Sequence, residues 1–109
     1  MIALITANRE DIAEICRTFG VRTLEVFGSA ANGKFNPSTS DLDFVVDLMD
    51  YGPGVANRFV DFAAQMERLF NRSVDLVFDA KMDNPYFRRA VDTTREMVYD
   101  ASRDSQAAA

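Results

Sequence analysis

We predict an α/β domain in which helices pack against a small sheet. Three short runs, 21–27, 42–48 and 74–78, are rich in β-branched, aromatic and other apolar residues and have the length of strands. Two longer stretches, 9–19 and 55–70, repeat apolar residues at steps of three and four, as amphipathic helices do. Because both kinds of segment occur within a chain of one-domain length, they are expected to form one α/β unit.

The chain length of 109 residues is enough for one domain with a modest core. We predict that the domain covers residues 1–100 and that 101–109, a polar and then alanine-rich segment, is a flexible tail. The single cysteine, Cys16, has no partner for an internal disulfide, and the sequence contains neither a signal peptide nor an apolar run of membrane-spanning length. These features predict a cytoplasmic protein.

Charge and composition exclude several classes of function. The net charge of −5 argues against a broad nucleic-acid surface, because such surfaces depend on many lysine and arginine contacts with phosphate. The chain has no histidine, so serine–histidine and cysteine–histidine pairs and zinc sites built on imidazole are ruled out. Carboxylates remain as the catalytic groups to consider.

The first helix is expected over about 9–19. Asn8 is a suitable N-cap, and acidic residues in the first turn suit the positive end of a helix. Gly20 is expected to end the helix in the left-handed conformation, after which the first strand begins at Val21 or Thr23. The residues predicted to face inward, with the cysteine treated as a buried apolar group, are Ile12, Ile15, Cys16 and Phe19.

The second half of the chain has two further helices. The apolar stripe of 55–70 is interpreted as core, although a partner surface is the alternative. Asn84 and Pro85 form a cap and first-position pair that begins a helix running to about Arg95, and residues 97–99 finish as a short strand or helix end. The arginines of this helix are interpreted as solvent-exposed, and the alternative is that they approach a phosphate or an acidic partner; they are Arg88, Arg89 and Arg95.

Two polar features adjoin the first two strands. Gly28 and Ser29 follow the first strand, where backbone N–H groups and a hydroxyl can hold phosphate oxygens. Asp41 and Asp43 share one face of the second strand because side chains alternate along a strand. They can therefore converge on one divalent cation or straddle a pair. Asp47 has the same parity, but it is interpreted as marking the end of the strand.

Asp75 interrupts the otherwise apolar third strand. A buried carboxylate without a partner costs several kcal/mol, so this position is expected to share a cation with the other two aspartates. The alternative is an edge-strand residue that lies in water.

A competing motif overlaps the glycine turn. Residues 28–34 fit the G-x-x-x-x-G-K pattern of the P-loop, which requires a serine or threonine next and then a helix. Phe35 follows instead, and Pro37 stands where the helix would begin. The P-loop interpretation is therefore rejected.

The whole arrangement resembles the signature of the polymerase-beta-like nucleotidyltransferases, and in particular the minimal nucleotidyltransferases of bacteria and archaea. The likeness extends from about Val21 to Tyr99, and the segment 74–77 resembles the strand that carries the family's third carboxylate. It implies a small mixed sheet of three or four strands with helices packed largely on one face. The matching signature residues are Gly28, Ser29, Gly33, Ser40, Asp41 and Asp43.

The resemblance implies transfer of a nucleoside monophosphate from ATP or another NTP to a protein or small-molecule acceptor. Asp41, Asp43 and Asp75 would be the catalytic and metal-binding groups, with two Mg²⁺ ions. Many relatives carry arginine in the turn, whereas this chain has Ala30 and Asn32; Lys34 is a less forked substitute. Nucleotide binding is assigned to Gly28, Ser29, Gly33, Lys34 and Ser40.

The resemblance also implies a partner. Minimal nucleotidyltransferases are often encoded beside a HEPN-domain protein, so the chain is expected to act as an antitoxin that modifies this protein. The alternative is an inactive binding module that neutralises its HEPN partner by complex formation. A homo-oligomer is left open.

Overall fold

The computed structural model describes residues 2–32, 36, 41–79 and 82–108, with side chains described up to Asp104 except that of Asn32. In these ranges the chain forms an α/β fold with one four-stranded sheet. The elements are α1 (Ala3–Ala7), α2 (Arg9–Phe19), β1 (Val21–Phe27), α3 (Ser29–Asn32), β2 (Leu42–Leu48), α4 (Val55–Phe70), β3 (Val74–Phe78), α5 (Pro85–Asp92), β4 (Glu96–Asp100) and α6 (Ala101–Ala108).

The sheet is mixed, with the strand order β3-β2-β1-β4. Strand β1 pairs antiparallel with β2 and with β4, whereas β2 and β3 are parallel. The end of β1 therefore lies beside the starts of the other three strands at a single edge. The register makes this explicit, since Phe27 pairs with Asp43, and Asp43 pairs with Asp75.

The main core lies between one face of the sheet and helices α2 and α4. Ile12 and Cys16 on α2, and Phe62 and Met66 on α4, are at most 1% exposed. These positions confirm the predicted apolar stripes of both helices, including the burial of the cysteine. Burial of this apolar surface is the main force that stabilises the two helices, because helices of this length are only marginally stable as isolated peptides in water.

A smaller cluster covers part of the opposite face. Phe27 and Val45 of the sheet pack there with Met82 and with Val91 of α5, and Val77 lies against them. The helices are thus packed largely on one face, as the resemblance implies. The other face is left to α5 and to the polar side chains that alternate with the core residues.

The helix ends follow the sequence signals only in part. Gly20 ends α2 with φ of 67°, and the side chain of Asn84 accepts hydrogen bonds from Tyr86 and Phe87, so both predictions are confirmed. Asn8 occupies the N-cap position of α2 as predicted, but its side chain makes no capping bond and instead donates to the Leu4 carbonyl of α1. The side-chain amide of Asn8 therefore bonds to the preceding helix α1, which was not predicted from the sequence.

The C-terminal third differs in detail from the expectation. Helix α5 ends at Asp92 rather than near Arg95, and 97–99 belong to a strand rather than a helix end. Residues 101–108 are helical. The division into a domain and a flexible tail stays a prediction. Within the described ranges, none of the helices is both long and apolar enough to cross a membrane.

Candidate active site

The candidate site lies at the sheet edge where β1 ends and the other strands begin. Asp43 and Asp75 are register partners on the parallel strands β2 and β3, so their side chains project from the same face. Asp43 hydrogen-bonds to Asp75, and Asp41 lies close enough to repel it. The structure thus pairs two of the aspartates that the sequence selected, Asp43 and Asp75, and places Asp41 near enough for its charge to act on Asp43.

Burial raises the pKa of Asp43 from 3.8 to about 6, with smaller contributions from the hydrogen bond to Asp75 and from the charges of Asp75 and Asp41. A hydrogen bond between two carboxyl groups needs a shared proton, because two carboxylates can only accept. The chain alone therefore tends to keep a proton where several negative charges converge.

The three carboxyl groups differ in exposure. Asp41 precedes β2 and is exposed, Asp43 is half-buried, and Asp75 is exposed on an edge strand. Solvent thus reaches Asp75, and its burial alone does not require a compensating cation. Among the side chains that the structure describes, no three acidic, cysteine or histidine groups form a ready metal-binding cluster.

Gly28 places the turn directly against Asp43. Its φ is 71°, a left-handed conformation that side chains disfavour, and a Cβ added there would lie 2.8 Å from Asp43 Oδ2. Its backbone N–H donates to Thr94 Oγ1 at 3.0 Å. Gly28 therefore provides space and shape at the site, while its amide is used within the chain. Ser29, partly exposed, begins the short helix α3.

The remaining turn positions have different outcomes. Ala30 is 1% exposed and belongs to the main core, so this position faces away from the site. Asn32 ends α3. The predicted nucleotide-binding residues Gly33, Lys34 and Ser40 lie outside the described residues.

Sequence reasoning missed an ion pair beside the site. Arg95 donates to both carboxylate oxygens of Glu25, at 2.9 Å and 2.8 Å, and also reaches Asp92 and Asp79. The Arg95 and Glu25 side chains are only 16% and 19% exposed. The interpretation of Arg95 as an exposed helical arginine is wrong, because α5 ends before it. A signal was available in Glu25, a carboxylate that stands between the apolar residues Leu24 and Val26 of β1.

Two other charged residues considered in the sequence, Arg88 and Asp47, have partners within the chain. Arg88 pairs with Asp79 at 3.5 Å, so its acidic partner belongs to the chain itself. Asp47 pairs with Arg22 and accepts a hydrogen bond from Tyr51. This agrees with the interpretation of Asp47 as marking the end of the strand.

Comparison with known proteins gives consistent results. A model of the family described as polymerase beta, nucleotidyltransferase, matches residues 10–104. The chain is 30% identical over 97 residues to the protein adenylyltransferase MntA of Thermococcus cleftensis, and the match covers 89% of each protein. A structure described as a minimal nucleotidyltransferase is 28% identical, with a TM-score of 0.67 over 87% of this chain and 95% of the other.

Two solved complexes show a likeness of fold. One is a toxin–antitoxin with AMP-PNP, with 20% identity and a TM-score of 0.64 over 92% of this chain and 79% of the other. The second is a tri-AMPylated Shewanella oneidensis HEPN toxin with an MNT antitoxin, with 17% identity and a TM-score of 0.62 over 94% and 78%. At these identities the similarity concerns the fold.

Proposed function

Because the chain belongs to the polymerase beta nucleotidyltransferase family, as a minimal nucleotidyltransferase, we propose that it transfers adenylate from ATP to an acceptor hydroxyl. The single observation that carries the proposal is the pairing of Asp43 with Asp75 directly against the Gly28 turn. The family supplies the reaction class, and the paired carboxyl groups supply the chemistry at a defined place. The adenylyl specificity is supported by the name of the Thermococcus relative.

The residues present fit a divalent cation. Carboxylate oxygens are the ligands that Mg²⁺ prefers, and two of them, on Asp43 and Asp75, project from the same face of neighbouring strands. Burial raises the pKa of Asp43, and the neighbouring charges of Asp75 and Asp41 add to this, which a bound cation would offset. Asp41, Asp43 and Asp75 would hold two Mg²⁺ ions. When bound, the ions offset the charge of the triphosphate and of the attacking and leaving oxygens.

The chain's own residues would orient the triphosphate and take the proton of the attacking hydroxyl. The acceptor oxygen attacks the α-phosphorus, the bond from that phosphorus to the bridging oxygen breaks, and pyrophosphate leaves. Asp75, the most accessible carboxylate of the register pair, would accept the proton of the attacking hydroxyl. The Ser29 hydroxyl would donate to a phosphate oxygen, while Gly28 keeps the turn close to Asp43.

The partner proposed is a HEPN-domain protein, which the chain would modify as its antitoxin. The support is that one neighbour of similar fold is a complex of an MNT antitoxin with an AMPylated HEPN toxin. Neutralisation by binding alone is the second candidate, favoured by the absence of arginine from the turn, where the chain has Ala30 and Asn32. The paired carboxyl groups favour catalysis.

Mass spectrometry of the neighbouring gene's product, the proposed HEPN partner, tests the proposal. After incubation with the chain, Mg²⁺ and each NTP in turn, the partner should gain the mass of one or more adenylate groups with ATP. The matched control is Asp43→Asn, which keeps the shape of the side chain and should give no gain. A partner that is bound and neutralised at unchanged mass would establish the binding-only alternative.

A further inference from the structure

A threonine that lies outside the acidic edge holds the turn on which the site depends. Thr94 Oγ1 accepts the backbone N–H of Gly28 at 3.0 Å, across 66 positions of sequence. The hydroxyl is partly buried and uses its own proton toward the carbonyls of Ala90 or Val91, at 3.3 Å and 3.4 Å, at the end of α5. This hydroxyl therefore links the last turn of α5 to the end of β1.

The segment that carries Thr94 is itself anchored. The next residue, Arg95, forms the two-pronged ion pair with Glu25 of β1, and its backbone N–H donates to the Val91 carbonyl at 2.9 Å. A bidentate guanidinium–carboxylate pair fixes both distance and orientation. Since Glu25 lies two residues before Phe27 on β1, Thr94 is held in register with the end of the strand from which the turn projects.

The turn has little room to move without disturbing Asp43. A Cβ at Gly28 would come within 2.8 Å of Asp43 Oδ2, so the carboxyl group already lies against the Gly28 backbone. A shift of the turn toward β2 would displace the carboxyl oxygen, and a shift away would open the contact. The hydrogen bond to Thr94 is a restraint on this distance that comes from outside the sheet.

We propose that Thr94 is a positioning residue for nucleotidyl transfer, which it supports by holding the Gly28 turn against Asp43. The role rests on the proposed function, because it concerns the alignment of the same site. Thr94 itself does not need to touch the nucleotide. Its loss leaves the Gly28 N–H without its acceptor and frees the turn, and misplacement of a reacting group by about 1 Å can cost about 100-fold in rate.

The experiment compares two adjacent threonines. Thr93 also donates its hydroxyl to the Ala90 carbonyl, at 2.9 Å, but no hydrogen bond joins it to Gly28 within the described residues. Thr94→Val and Thr93→Val thus remove the same atom type from the same helix end. We expect Thr94→Val to lower kcat by about 10- to 100-fold, with a smaller change in KM for ATP, and Thr93→Val to retain wild-type kinetics.

A conservative variant that restores the hydroxyl distinguishes a positioning role of Thr94 from a merely structural one. Thr94→Ser keeps the acceptor and should restore kcat to within about threefold of wild type, whereas Thr94→Ala should behave like Thr94→Val. Amide exchange gives a second readout, because the Gly28 N–H should exchange faster only in the variants that lack the hydroxyl. Wild-type kcat in a folded Thr94→Val protein would overturn the positioning role.

Two further outcomes are decisive. If Thr94→Val and Thr94→Ala both fail to fold while Thr93→Val folds, the threonine is structural and the positioning role is overturned. If the wild-type chain transfers no nucleotide to any acceptor, the proposed function fails, and the positioning role fails with it. Transfer by wild type with unchanged Thr94 variants overturns the positioning role alone, so the two failures are distinguishable.

Discussion

At the scale of single residues, two glycines with nearly the same backbone conformation make different demands. Gly20 and Gly28 have φ of 67° and 71°, so alanine is strained at both positions, by about 1 kcal/mol. A Cβ at Gly20 has open space, whereas one at Gly28 lies 2.8 Å from Asp43 Oδ2. Of these two glycines, only Gly28 has both a left-handed φ and a neighbouring side chain that leaves no room for a Cβ.

We therefore expect Gly20→Ala and Gly28→Ala to lose similar stability but only Gly28→Ala to lose nucleotidyl transfer. The added methyl group must push the Asp43 carboxyl group out of place, and this carboxyl group is proposed to hold the metal ions. Urea unfolding and transfer assays on the two variants measure both effects. Full activity in Gly28→Ala would show that Asp43 can move without consequence.

The titration of Asp43 predicts how stability depends on pH in the absence of metal. Because its folded pKa of about 6 is raised above the unfolded value of 3.8, the native state binds the proton more tightly than the unfolded state. The contribution to stability is fully present below pH 3.8 and is lost as pH rises to about 6. We expect the melting temperature of Asp43→Asn, measured in EDTA, to lack this loss.

Comparison of melting curves at pH 4 and pH 6.5 provides the test. Other carboxyl groups also titrate in this range, so the informative quantity is the difference between wild type and Asp43→Asn. The wild type should lose stability relative to the variant as pH rises. Identical pH profiles would mean that Asp43 ionises as freely in the folded chain as in the unfolded one.

At the scale of elements, the Arg95–Glu25 pair fastens the start of β4 and the end of α5 to β1. Both side chains are less than 20% exposed, in contrast to the Arg17–Asp104 pair, where Arg17 is 46% exposed at the same N–O distance of 2.8 Å. A pair withdrawn from water leaves its remaining charge poorly solvated when one partner is removed. The two pairs thus allow a comparison at equal distance.

We expect Arg95→Met to cost about 2–4 kcal/mol of unfolding free energy and Arg17→Met less than about 1 kcal/mol. Replacing Glu25 by glutamine as well should recover part of the first loss, since the least exposed of the three carboxylates that Arg95 contacts is then no longer charged. Urea unfolding of the single and double variants gives the coupling energy. Equal costs for Arg95→Met and Arg17→Met would indicate that the Glu25 pair is as well solvated as a surface pair.

Elements with strong local signals could be predicted from the sequence. Helices α2 and α4 and strands β1 to β3 have period and composition that their burial confirms. Helix α1 was missed because it is five residues long and depends on contacts such as the Ile2 N–H with the Ala30 carbonyl. The side-chain bond of Asn8 was not predicted for the same reason, since its partner, the Leu4 carbonyl, belongs to α1.

In the candidate site too, some residues could be predicted from local sequence, whereas others depend on contacts that only the fold creates. Asp41, Asp43 and Asp75 could be selected because carboxylates interrupt apolar strands at a recognisable spacing. The position of Glu25 between apolar residues signals that it needs a partner, but its pairing with Arg95 could not be predicted, and neither could the contact of Thr94 with Gly28. The partners lie 70 and 66 positions apart, and only the fold brings them together. Strand pairing determines these contacts, and no local pattern encodes them.

At the scale of the whole molecule, one face of the sheet carries the main core and the other carries the candidate site. Helices α2 and α4 bury most of the core on one face, which leaves the Asp43 face covered by α5 and a small apolar cluster. The alternation along β2 thus puts Phe44 and Val46 into the main core while Asp43 points to the open side. A chain of only 109 residues can in this way keep both a core and an accessible acidic edge.

Net charge at this scale predicts how ligands bind. The chain carries a net charge of −5, and its candidate site holds the paired Asp43 and Asp75 with Asp41 nearby, so an uncompensated triphosphate is repelled both at long range and at contact. A divalent cation reverses the local sign. We therefore expect ATP and Mg²⁺ to stabilise the chain strongly together and weakly when either is present alone.

Thermal shift measures this dependence. With Mg²⁺ and ATP at about 100 times the dissociation constant, stabilisation should reach about 2.7 kcal/mol, or about 10 °C or more for a domain of this size. Asp43→Asn should lose most of this shift, whereas Arg17→Met, which changes a charge far from the sheet edge in sequence and contact, should keep it. The comparison with EDTA is decisive: a shift with ATP that is equally large in EDTA would place the nucleotide away from the carboxylates, because binding at the acidic edge needs the cation to offset their charge.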